Sequence, residues 1–80
     1  MDEPFDLPVM YKGEERLFPS FLQQLGFTHR IVVNVYGTEV AFEPDEERNY
    51  RALIEPEEMS REITTDLLKA IAETIENIVK

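Results

Sequence analysis

Residues 31–42 are IVVNVYGTEVAF, a run of alternating residues folded back on itself at a glycine. Apolar residues alternate up to Tyr36, Gly37-Thr38 supplies a turn, and the alternation then resumes in the opposite direction. A two-residue loop led by Gly suits a type II′ turn, because Gly takes a positive φ without a Cβ clash. Residues paired across a hairpin share a face, so the register can be tested against the pattern. Centring on Gly37-Thr38 pairs Val35 with Val40 and Val33 with Phe42, and Ile31 extends that face. Val32, Asn34, Tyr36, Glu39, Ala41 and Glu43 fall on the other face. A three-residue loop would set Val40 opposite Asn34 and mix the faces, so the tighter turn is preferred. The stretch is a half-buried antiparallel hairpin.

Upstream, residues 5–11 alternate with Leu7, Val9 and Tyr11 on one face, which makes a first strand. Pro8 has no N–H for a ladder and places that strand at the edge of the sheet or at its start. Residues 12–15 form a turn with Gly13 left-handed. Residues 18–27, FPSFLQQLGF, admit two readings. Phe18, Phe21, Leu22 and Leu25 have helical spacing, with Pro19 in a first turn and Gly26 as a stop. Leu17, Phe21 and Leu25 with Phe27 also line one face of an interrupted strand. Hairpins lie on either side, so a strand is preferred, with Gly26 at a bend or bulge.

Downstream, residues 43–49 are a polar turn and residues 50–54 a short last strand. Tyr50, Ala52 and Ile54 turn inward there, and Arg51 and Leu53 outward. Pro56 opens a helix that runs nearly to the end; Ser60 is a competing N-cap, and on that alternative the start is delayed to Arg61. Ile63, Leu67, Leu68, Ile71, Ile75, Ile78 and Val79 form an i, i+3, i+4 stripe. Each large side chain on it contributes roughly 1.5–3 kcal/mol when fully buried, before entropy costs. Such a helix reaches roughly 30 Å and crosses or overhangs strands of about 20 Å. The expected fold class is α+β: one domain over residues 1–80, a four- or five-stranded antiparallel meander with one long C-terminal helix packed on one face.

Composition narrows the function classes. The 80 residues carry 17 acidic and 8 basic side chains, a net charge of −9. Phosphate neutralisation needs clustered Lys and Arg, and here they are scattered, so no nucleic-acid partner and no anionic membrane surface is expected. Cysteine is absent, which removes disulfides and thiolate metal sites. No apolar run approaches the ~20 residues of a membrane span, and the acidic start lacks the features of a signal peptide, so the expected location is cytoplasmic.

The segment FEPDEERNYRAL, residues 42–53, resembles one found in small bacterial proteins of unknown function. The resemblance covers about the central half of the chain and implies no activity and no functional residue.

His29 is the single histidine, and its sequence neighbours are Thr28 and Arg30. A general base or metal ligand needs a partner that these do not supply, so an ordinary strand residue is the simpler reading. Glu43, Asp45, Glu46 and Glu47 make the densest acidic cluster, but the spacing is not that of a calcium loop, and Arg48 and Arg51 oppose a cation. A solvated turn with local pairing to Arg48 or Arg51 is preferred. The glycines are isolated and no nucleophile motif is present, so no catalytic residue, no cofactor and no metal site is expected. The leading class is a non-catalytic protein-interaction or accessory module, with a protein partner or a second copy in a homodimer. The alternative is a small-ligand binder with a pocket between helix and sheet, followed by a small enzyme using clustered carboxylates. One helix covers one face, so the candidate interaction patch is the other face, with Val32, Tyr36, Ala41 and Leu53.

Overall fold

A computed structural model of the protein describes residues 4–47 and 49–79, apart from the Val79 side chain. Strands β1 (Pro4–Tyr11), β2 (Glu14–Leu25), β3 (Thr28–Val35), β4 (Thr38–Pro44) and β5 (Tyr50–Leu53) follow one another as an antiparallel meander. A 3₁₀ turn at Pro56–Glu58 and a helix, α1 (Thr65–Val79), complete the chain. The α+β class is as the hydrophobic pattern predicts, with five strands and the one helix packed against them.

Three two-residue turns set the meander. Lys12-Gly13 and Tyr36-Gly37 have positive φ at both positions, which is the type I′ pattern. The central hairpin therefore turns at Tyr36-Gly37 and not at Gly37-Thr38. Its pairs are Val35 with Thr38, Val33 with Val40 and Ile31 with Phe42. The expected register is slipped by two residues, a shift that leaves the side chains of both strands on their expected faces and moves only Tyr36, now a turn residue. The Gly37 N–H donates to Asn34 Oδ1 at 2.8 Å and ties this turn down. Gly26 has φ +60° and leads a hairpin turn with Phe27, where a bend or bulge was expected. Residues 18–25 are strand, and β2 pairs with both β1 and β3.

The inward face holds Leu7, Val9, Phe18, Ile31, Val33, Val35, Val40, Phe42 and Tyr50, closed by Leu67, Leu68, Ile71, Ala72 and Ile75 of α1. Ser20 is buried among them, and its hydroxyl donates to the Phe18 carbonyl at 2.9 Å, which meets the cost of burying it. Leu17, Phe21 and Leu25 take the opposite face by their register.

The helix is shorter than its sequence pattern suggests. Pro56 opens only the 3₁₀ turn. Ser60 Oγ accepts from the Glu62 and Ile63 N–H groups, so it caps a separate turn and not the helix. Thr64 is the N-cap of α1: its Oγ1 accepts from the Leu67 N–H at 3.2 Å, and its carbonyl accepts from the Leu68 N–H. Local hydrogen bonding by Ser and Thr thus outcompetes continued helix across residues 59–64. With 15 residues the helix spans about 22 Å, close to the length of a strand. Its backbone lies nearest to β1 and β5, so it occupies the trough between the two edges of the sheet. The stripe is buried from Ile63 to Ile75, whereas Ile78 is 58% exposed and leaves the core.

Candidate functional site

Two surfaces survive as candidates, and both follow from the strand register. The first is the helix-free face of the sheet. Phe21 pairs with Val32, Val32 with Ala41 and Ala41 with Leu53. One apolar row therefore crosses β2, β3, β4 and β5 without a polar interruption. Leu53 is 42% exposed, Phe21 and Ala41 are half-buried, and Val32 is only 8% exposed between its row neighbours. A second row, Gln23, Arg30, Glu43 and Arg51, flanks it on one side. Arg30 Nε donates to Gln23 Oε1 at 2.5 Å, and Arg30 Nη1 lies 3.9 Å from a Glu43 carboxylate oxygen. Asp6, Asn34 and Glu39 flank the other side by their place in the register.

Three of the four residues expected in the patch, Val32, Ala41 and Leu53, stand side by side. Tyr36 does not join them. As a turn residue at φ +52° it swings its ring onto Phe18, edge to face at 5.6 Å between centroids. Arg16 donates to its hydroxyl and also pairs with Glu14 at 3.3 Å. The Tyr36 hydroxyl and Glu14 together raise the pKa of this guanidinium above its usual value. Phe21 takes the vacated place in the row. Its position follows from a strand at residues 18–25, and the competing helical spacing concealed it.

The second surface is a groove of about 730 Å³ along the seam of β5 and α1. Its floor is Ala52, Leu68 and Ala72, with Ile54, Pro56 and Met59 at one end and Tyr50 at the other. Exposed Arg51, Lys69 and Glu73 rim it. Glu76 reaches back across the seam and its Oε2 accepts from the Tyr50 N–H at 2.8 Å. No local sequence pattern announces this contact, because the partners are 26 residues apart and meet only when the helix docks.

Among the described residues no carboxylate pairs with His29. Its Nε2 lies 2.7 Å from the Tyr50 hydroxyl, and the rings stand 6.1 Å apart. Burial of Tyr50 raises the pKa of its hydroxyl. The pair joins the start of β3 to the start of β5 and reads as a structural clasp. In the acidic turn, Asp45 Oδ1 accepts from the Glu47 and Asn49 N–H groups at 2.8 and 2.9 Å. The cluster's central carboxylate is thus spent on folding the loop. Arg30, not Arg51, is the basic partner of Glu43, and Arg48 lies outside the described residues. Among the described residues no three His, Asp or Glu side chains converge in a way that would hold a metal ion. Among them too, no helix is long and apolar enough to cross a membrane.

The chain matches no protein-family model, no curated protein and no solved structure.

Proposed function

We propose that this chain is a non-catalytic, cytoplasmic protein-interaction module that pairs with a second copy through the helix-free face of its sheet. The observation that carries this reading is the unbroken row Phe21, Val32, Ala41 and Leu53, in register across four strands. Single exposed apolar residues are ordinary on a surface, but a contiguous apolar strip rimmed by polar side chains is the pattern of an interface. The flanks favour a second copy as the partner. A two-fold axis along the row sets the Arg30 and Arg51 flank of one copy over the Asp6 and Glu39 flank of the other. That pairing offsets part of the repulsion between two chains of charge −9.

Light scattering at tens of micromolar protein tests this, comparing Leu53→Glu with Phe27→Glu, a fully exposed turn position off the row. The expected result is a dimer in the parent protein and in Phe27→Glu, and a monomer in Leu53→Glu with an unchanged melt. A monomeric parent protein at every concentration would overturn the reading. A second reading, a small-ligand site between helix and sheet, draws on the groove of β5 and α1, whose volume lies in the range of ligand pockets.

A further inference from the structure

The β5 side of that groove is an unfinished sheet edge. Backbone N–H and C=O groups alternate sides along an antiparallel strand, so residues two apart point the same way. The Tyr50 N–H points away from β4, because it donates to Glu76 of the helix. Ala52 therefore also turns its N–H and C=O away from β4, into the groove. Arg51 and Leu53 are left to bond Glu43 and Ala41. Among the described residues nothing pairs with the Ala52 backbone groups. The small side chains of Ala52 and Ala72 hold the seam open beneath them.

We propose that this groove binds an extended peptide segment as a sixth strand, with its backbone paired to Ala52 and an apolar side chain seated over Ala52, Leu68 and Ala72. Strand addition between an edge strand and a helix is an established mode of peptide recognition, in which backbone pairing supplies affinity and the groove supplies selectivity. Charge specifies the peptide further. The segments on either side of β5 carry Asp45, Glu46 and Glu47 before it and Glu55, Glu57 and Glu58 after it, all exposed. Arg51 and Lys69 are the described cations that line the groove. Within the groove these cations are balanced by Glu73 and Glu76, so the acidic segments beyond each end of β5 favour a peptide whose small apolar centre has basic residues on both sides. The opposite edge is less suited to this mode, since Pro4 and Pro8 of β1 have no N–H to offer and interrupt its row of donors.

The test uses the full chain and three fluorescein-labelled peptides: KKTVAVTKK, its acidic counterpart EETVAVTEE, and the basic peptide N-methylated at the central Ala and one Val. Binding is read by fluorescence anisotropy, and the site by hydrogen exchange of the Ala52 amide in NMR spectra. The basic peptide is expected to bind about tenfold more tightly than the acidic one at low salt, with the difference shrinking at high salt. It should slow Ala52 exchange by at least about tenfold at saturation. N-methylation should abolish both effects, as should Ala52→Pro; if Ala52→Pro does not fold, the methylated peptide alone decides. Equal binding of the methylated peptide, no binding of the basic one, or shifts confined to the helix-free face would each overturn the proposal. So would Ala52 protection that rises with protein concentration in the absence of peptide, because that assigns the edge to a second copy. Self-association through the sheet face is read separately by light scattering without peptide, so either reading fails without the other.

Discussion

The two edges of the sheet meet the same helix and are finished differently. At the β1 seam the strand is eight residues long, and Pro4 and Pro8 remove N–H donors from it. A smaller depression of about 450 Å³ lies there, between Pro8 and Met10 and the helix residues Ala70, Thr74, Asn77 and Ile78. Tyr11, at the end of this strand, meets Thr64 Oγ1 at 3.2 Å. At the β5 seam the strand is four residues long and has no proline. Its control comes from the helix, where Glu76 caps one donor and leaves the next free. Proline removes donors from an edge permanently, whereas a carboxylate from a distant helix caps a donor only while that helix is docked.

The largest effect should come from the buried centre of the helix that lies between the two seams. Ile71 is fully buried at mid-helix, and Ile71→Ala should cost about 2–5 kcal/mol in chemical denaturation. A loss below about 1 kcal/mol would mean that the sheet carries the fold without the helix. A pair of helix variants separates the seams. Glu76→Ala leaves the Tyr50 N–H without its charged acceptor and should cost about 1–2 kcal/mol. Thr74 faces the β1 seam, and among the described residues its hydroxyl bonds its own helix at Ala70, so Thr74→Ala should stay within about 0.5 kcal/mol. Equal costs for the two, measured by urea titration, would erase the distinction between the edges.

The smallest effect is a pH dependence local to the β5 seam. Burial raises the folded pKa of Tyr50 above its unfolded value of about 10. As pH rises past that point the unfolded chain loses the proton first, so this contribution is complete below about pH 10 and is lost through the folded pKa. Tyr50→Phe should therefore show a flatter fall in melting temperature between about pH 9.5 and 11 than the parent protein. A steeper fall in the variant would contradict the assigned sign.

Much of this arrangement is legible in the chain itself. Alternation in residues 31–42 assigns the inner face Ile31, Val33, Val35, Val40 and Phe42, and every one of these is buried. Alternation does not set the register, because a slip of two residues preserves it. Only turn geometry distinguishes the two registers, and a left-handed Tyr is not what turn statistics favour. The same ambiguity placed Tyr36 in the outer patch, whereas its contacts with Phe18 and Arg16 draw it to the other side. The helix start was hidden for a related reason, since Pro56, Ser60 and Thr64 all carry capping chemistry and local sequence does not rank them.

Local sequence prescribes four of the strands, the buried face, the amphipathic helix and the missing donors of the first strand. Each of these depends on side-chain period or backbone chemistry within a few residues. Assembly of the elements adds that Phe21 completes the outer row, that Glu76 caps Tyr50, and that Ala52 faces an open groove. Those relations join residues on separate elements. They exist only once the register is set and the helix has docked between the two edges, because hydrogen bonds and contacts act over a few ångströms whatever the distance along the chain.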